Sequence, residues 1–299
     1  MRTYQASTFL LSIAATSLPL VNALSVSPLK VPIAAPRIYE HGHISIVHQR
    51  NPPLSNNRSF STALKSSPHD EEDGVVVSDP EFNGMTTVAL VAGQSLFIVI
   101  AIAAAQVMNV PNFGLGDGFA INSDSVLSGL KATVPLGVLA FVLDFFEKSY
   151  KPLEDVSKAT QRSILGLLGG VRKPLVAFGV SLALGAAAGW GEEMLFRGVL
   201  QSELAGQFGD IAALISSAII FGALHAVTPL YAILAGVASL YFGELYLQYH
   251  NLAVPIICHG FYDVGALMAA HYTVTGLSEE ERISLANWDP PDGGRSENF

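Results

Sequence analysis

The segment GWGEEMLFRGVL, residues 189–200, places two adjacent carboxylates, Glu192 and Glu193, and the guanidinium of Arg197 just after a stretch with no charge between Pro174 and Trp190. An ionised carboxylate at the centre of a membrane-spanning helix costs about 2.5–3.5 kcal/mol even on the lenient insertion scale, so each acid needs a partner or a use. Glu193 and Arg197 are four apart with the acid first, the favoured order for a helical ion pair. Glu192 is turned by about 100° around the helix and has no such local partner. Two further apolar segments carry ionisable groups: IIFGALHA with His225, and ICHGFYDVG with His259 and Asp263, which are four apart on one helical face. Taken singly, each histidine is most simply a hydrogen-bonded packing residue. Taken together with Glu192, they suit amide hydrolysis by an activated water. A glutamate and a histidine converging on one water can act as general base, and a second histidine with a hydrogen-bonding neighbour can donate to a developing oxyanion. No nucleophilic side chain is required. The single cysteine, Cys258, adjoins His259 in sequence and so points about 100° away from it; it reads as a small buried helix residue and excludes an intramolecular disulfide.

The elements that must position these groups read as membrane helices. Half of the 299 residues are hydrophobic and only 14% are charged, too apolar a balance for an ordinary soluble domain. Apolar runs over roughly 86–108, 124–146, 174–203, 210–227, 229–248 and 252–271 each approach the ~20 residues that cross a ~30 Å hydrocarbon layer. Alternating strands of the barrel type are absent, so the expected fold is an all-α polytopic transmembrane bundle of about six spans. With a rise of ~1.5 Å per residue, antiparallel spans bring Glu192, His225, His259 and Asp263 to comparable depths. Glu244 lies near the end of its span and reads as interfacial. Lys148, Lys151, Lys158, Arg162, Arg172 and Lys173 flank an amphipathic stretch between the second and third spans, whereas the loop 109–123 has no basic residue. The positive-inside rule puts the former on the cytosolic or stromal side.

Ahead of the spans, residues 1–69 carry six Lys/Arg against Glu40 alone, while 70–299 carry ten against twenty-four acids. Arg2, the apolar stretch FLLSIAATSLPLV and Val21-Asn22-Ala23 have the layout of a signal peptide, and the Ser-, Pro- and Asn-rich segment 24–69 resembles a plastid transit peptide. A plastid membrane is the expected location, with the endoplasmic reticulum membrane as the alternative. The chain divides into a signal peptide (1–23), a disordered transit-like segment (24–69), an acidic linker with two spans and the basic stretch (70–173), a catalytic helical core (174–271) and an acidic disordered tail (272–299). The acidic folded part makes nucleic acid an unsuitable partner; membrane lipid and a membrane-associated protein or peptide substrate are the expected ones.

The order Glu192-Glu193-x-x-x-Arg197, Phe221-x-x-x-His225, His259-x-x-x-Asp263 on successive late helices resembles the three motifs of the CAAX protease and bacteriocin-processing family of intramembrane glutamate endopeptidases. The likeness covers roughly residues 174–271. It implies that Glu192 and His225 activate the attacking water, that His259 and Asp263 stabilise the oxyanion, and that Glu193 and Arg197 support the site. Where the third motif ends in Asn an amide N–H can donate, whereas Asp263 donates only when protonated, so a role in orienting or charging His259 stands beside it. Eukaryotic prenyl-CAAX endopeptidases of this family have more spans; the compact arrangement with a presequence is closer to bacterial and plastid members.

Other chemistries fit less well. His-Glu-x-x-His and paired Glu-x-x-His are absent, which leaves no cofactor as the expectation and zinc held by Glu192, His225 and His259 as the second choice. Gly114-Leu115-Gly116-Asp117 and Tyr262-Asp263 superficially match presenilin-type aspartyl protease motifs, but their order and placement do not. No Gly-x-Ser-x-Gly elbow or phosphate-binding loop occurs, and Ser181, Ser216, Ser217 and Ser239 read as helix-packing residues. A non-catalytic membrane scaffold of the same fold and a proton or ion transporter using the intramembrane Glu and His are the readings from other classes.

Overall fold

The computed structural model describes residues 81–290. The expected signal peptide and transit-like segment lie outside the described residues. Those that are described form helices, with no strand among them. Helix α1 (Gly84–Met108) starts where the Asn83 side chain accepts the Thr86 N–H at 3.0 Å, and stops at Asn109 in the left-handed region. Helix α2 (Ser123–Phe146) opens with a reciprocal capping box between Asn122 and Ser125. Helix α3 (Lys151–Leu168) is the amphipathic stretch, its Lys151 paired with Asp155 and its Lys158 with Glu154. Helix α4 (Pro174–Glu193) begins on a proline, which suits the first helical position. It runs without a break through a π-helical turn, Met194–Gln201, into α5 (Ser202–Phe208). There follow α6 (Asp210–Leu224), α7 (Pro229–Tyr249), α8 (Ala253–Val274) and α9 (Glu279–Ala286).

Among the described residues, five stretches are long and apolar enough to cross a membrane: Gly84–Met108, Ser123–Ser149, Pro174–Phe208, Pro229–Tyr249 and Ala253–Val274. The run 210–227, expected as a further span, instead forms the 15-residue helix α6. At ~1.5 Å per residue it is only about 22 Å long. Gly209, at φ 83°, sets its start, and its end falls at His225 because Thr228 and Pro229 already cap and open the next helix. The expectation of a disordered tail over 272–299 is corrected for its first part, since α8 continues to Val274 and Glu279–Ala286 is helical; residues 291–299 lie outside the described residues. Ser278 and Glu281 form a capping box there, and Leu285 packs with Leu165 and Val274. The Ser278 backbone N–H, with help from its hydroxyl, holds the Glu281 carboxyl below its usual range.

The bundle inverts the soluble pattern. Large apolar side chains such as Val88, Phe141, Leu175 and Ile219 face outward, while Glu192, Glu193, Arg197, Gln201 and His259 are buried. That distribution suits an integral membrane protein, whose apolar exterior meets lipid and whose few charges turn inward. Helices α4 and α8 approach closely because Ser181, Gly185 and Gly189 repeat every four residues along α4. A Cβ on Gly189 would come within 2.8 Å of both the Gly260 N and the Ile256 O. The loop between α1 and α2 folds back on the π turn just as tightly, since a Cβ on Gly198 would sit 1.8 Å from the Gly114 carbonyl oxygen. Asn251 fixes that loop from its other side by bonding both the N–H and the C=O of Ala120.

Substitution of Gly189 by Ala is expected to destabilise the protein in detergent by about 1–3 kcal/mol, because backbone rather than a movable side chain opposes the added methyl. Gly179 on the same helix has open space around it, and Gly179→Ala should instead stabilise by roughly 0.5–1 kcal/mol. Thermal unfolding of the two variants checks the pair; equal shifts of the same sign would contradict the close-packing account.

Candidate active site

The site forms where the end of α4, the π turn, the end of α6 and the middle of α7 and α8 converge. A π turn carries one residue more per turn than an α-helix and leaves carbonyls askew. Here two of them are met by hydroxyls, Ser217 donating to the Phe196 carbonyl at 3.3 Å and Ser202 to the Arg197 carbonyl at 2.9 Å. The turn directs Arg197 and Gln201 at α7. Arg197 donates through one terminal nitrogen to the Ser239 carbonyl at 2.8 Å and to its hydroxyl at 2.7 Å, and one helical turn further Gln201 donates to the Gly243 carbonyl at 3.2 Å.

The two adjacent glutamates serve different partners, as their ~100° separation requires. Glu193 Oε1 accepts from Arg197 at 3.0 Å and lies 2.8 Å from His259 Nδ1. A carboxylate only accepts, so His259 Nδ1 carries the proton of that bond. His259 Nε2 then points to Asp263, 3.5 Å from its Oδ2. Glu192 faces the other histidine, with Oε2 3.8 Å from His225 Nε2. His225 Nδ1 lies 2.8 Å from the Phe221 carbonyl, which also can only accept. In its neutral form the ring would therefore present an unprotonated Nε2 toward Glu192. Two acceptors thus face each other across a gap too long for a direct hydrogen bond, which is the spacing a water donating to both would fill.

Aromatic rings fix both imidazoles. Phe221 stacks on His225 with centroids 4.2 Å apart, and Phe242 stacks on His259 at 4.6 Å. The Arg197 guanidinium lies over both phenyl rings, 5.2 Å from Phe221 and 5.4 Å from Phe242. Burial is graded across the cluster: the Glu193 and Arg197 side chains are fully buried, Glu192 and His259 nearly so, and His225 and Asp263 are about a quarter exposed at 23% and 27%. The polar centre is therefore reached from the His225 and Asp263 edge.

All six residues singled out in the sequence, Glu192, Glu193, Arg197, His225, His259 and Asp263, come together here. Glu193 does more than the expected local pairing, since the same oxygen also holds His259. The reading of Ser239 as a packing residue is corrected: it is the polar anchor of Arg197. Phe242 escaped sequence reasoning because a phenylalanine in an apolar helix carries no polar signal; its spacing of three from Ser239 was the only trace. Cys258 is buried, as expected, and Glu244 is exposed. Asp117 of the GLGD segment is exposed and accepts from Asn112. Among the described residues no three His, Cys, Asp or Glu side chains are grouped to hold a metal ion.

Residues 174–265, from the start of α4 to the middle of α8, match the family model described as Rce1-like, type II CAAX prenyl endopeptidase Rce1-like. No curated protein and no solved structure matches the chain. The matched segment contains all six residues of the cluster, and the match is consistent with the resemblance to the CAAX protease and bacteriocin-processing family.

The buried ion pair generates a test independent of activity. Arg197→Met leaves Glu193 buried without its cation and is expected to destabilise the protein by about 3–5 kcal/mol. Adding Glu193→Gln should recover part of that loss. A double-mutant cycle by denaturation in detergent measures the coupling, and additive effects would mean the pair does not act as a unit.

Proposed function

With the Rce1-like match over residues 174–265 as premise, we propose that the protein is an intramembrane endopeptidase that hydrolyses a peptide bond of a membrane-associated or lipidated protein through a water activated by Glu192 and His225. The observation that carries this reading is the pair of acceptors, Glu192 Oε2 and His225 Nε2, held 3.8 Å apart at the accessible edge of a buried polar cluster. A water donating one hydrogen to each keeps its lone pairs free for attack on a carbonyl carbon. As it attacks, its proton passes to this pair, and the oxyanion develops on the side of His259. With Nδ1 donating to Glu193, His259 can donate through Nε2 as the imidazolium, and Asp263 beside that nitrogen holds the ring and its charge. Collapse of the tetrahedral intermediate breaks the C–N bond, and the proton held by the Glu192–His225 pair goes to the leaving amine. Arg197 and Glu193 keep His259 in register without touching the reacting atoms.

Nothing in this scheme draws on a metal. A plastid membrane is the proposed location, on the transit-like character of residues 24–69; that address favours unmodified membrane proteins over prenylated ones as clients.

Purified protein in detergent, assayed on a panel of prenylated and unmodified membrane peptides, should cleave at least one of them. Glu192→Gln and His225→Gln should each lower kcat by about a hundredfold or more while the helical content stays unchanged. Full activity in Glu192→Gln removes the mechanism, and cleavage abolished by a chelator and restored by zinc replaces it with a metal-assisted one. Absence of cleavage across the panel, with the protein retained on a bound membrane protein, supports the scaffold reading instead. A fusion of residues 1–75 to a fluorescent reporter should reach the plastid; signal confined to the endoplasmic reticulum refutes that address.

A further inference from the structure

The contacts of Arg197 and the two histidines carry one step more. The guanidinium rests over two phenyl rings from different helices, and each ring has one of the site histidines stacked on it. Phe221 belongs to the same helix as His225 and precedes it by four residues, so local helix geometry alone brings those two rings together. Phe242 is different. It comes from α7, whereas His259 comes from α8, and their near-parallel stacking, 14° between planes, is a tertiary contact between two helices. Phe242 is almost completely buried, at 2% exposure.

Two constraints act on the His259 ring. The bond from Nδ1 to Glu193 fixes one atom but leaves the ring free to rotate about that bond and to swing Nε2 away from Asp263. A flat face against the imidazole removes that freedom. Phe242 supplies the face, and Phe221 adds an edge-on contact at 6.3 Å, so the plane of His259 is set by rings and its rotation by a carboxylate. Phe242 is itself held by Arg197, whose other contacts, Ser239 on α7 and Glu193 on α4, bracket it.

Resting on the proposed proteolytic reading, we infer that Phe242 is a positioning residue for the reaction: its ring fixes the plane of His259 so that Nε2 faces the substrate carbonyl, and it is kept there by the Arg197 guanidinium. It does not touch the reacting atoms. Its removal should therefore lower turnover without weakening substrate binding, and the loss should follow the presence of a flat ring, not the volume of the side chain.

Two measurements on the full chain in detergent test this. In the first, kcat and KM are compared for Phe242→Leu, Phe242→Met and Phe242→Tyr, with Phe141→Leu on the lipid-facing side of α2 as an aromatic-loss control and thermal melting as a check of folding. Leu and Met should each lower kcat by between about tenfold and about a hundredfold with KM unchanged, the range a small misplacement of a reacting group produces. Tyr should restore most of the loss, and Phe141→Leu should change neither constant. In the second, the His259 ring resonances of protein carrying isotope-labelled histidine, assigned by their loss in His259→Gln, should split into more than one set in the Leu and Met variants, beyond the single displacement that loss of the phenyl ring current alone gives, and return to one set in Tyr. Wild-type kcat in both Leu and Met overturns the inference, as does a fall in kcat with the His259 resonances still a single set displaced only by the lost ring current. A rise in KM alone overturns it in favour of a substrate-contact role. If Glu192→Gln cleaves as well as the wild type, it is the proteolytic reading that has failed, and the resonances of His259 still decide whether Phe242 sets its plane. Should Leu not fold, Met carries both measurements.

Discussion

A single oxygen, Glu193 Oε1, ties the structure together. It accepts from Arg197 and from His259, and the Arg197 guanidinium goes on to anchor α7 through Ser239. Charges without partners are costly inside an apolar bundle, so three helices are committed to one arrangement in which those charges meet. The π turn belongs to the same constraint. By widening the helix after Glu193 it presents Arg197 and Gln201 to carbonyls one helical turn apart on α7, and it leaves Glu192 free to face α6. One half of the cluster is thereby fixed and buried. The other half, His225 with Glu192, is where an incoming group can be met.

Small residues make this convergence possible. The repeat of Ser181, Gly185 and Gly189 lets α8 lie against α4 at backbone distance, which sets His259 within reach of Glu193. On the other side Gly198 admits the backbone of Gly114, so the loop between the first two helices presses on the π turn. Without those approaches the polar side chains would be too short to meet. Dispersion and helix-to-helix fit, not a hydrophobic driving force, hold such contacts in lipid.

The helical class was legible in the apolar runs, and so were the positions of the ionisable groups, because charge is rare enough in these segments for Glu192, His225, His259 and Asp263 to stand out singly. Helix ends were less legible. Gly209 and the Thr228-Pro229 pair shorten α6, yet an apolar composition spreads past both and reads as one longer run. The capping box of Ser278 and Glu281 was present in sequence, but the acidic character around it masked a helix whose stability comes from Leu285 docking on Leu165 and Val274. The roles of Ser239 and Phe242 could not be read at all, since each depends on the offset between α7 and the π turn, a tertiary quantity that no local pattern encodes.

The shortness of α6 has a consequence for the surrounding bilayer. A 15-residue helix is several ångströms shorter than the hydrocarbon thickness, so where α6 lies across a bilayer the lipid beside it would thin or yield to water at one end. The hydrolysis proposed for this site consumes one solvent molecule per bond cut, and a dent in the hydrophobic slab beside His225 would provide both the reservoir for it and a low barrier for a polar backbone segment to descend from the headgroups.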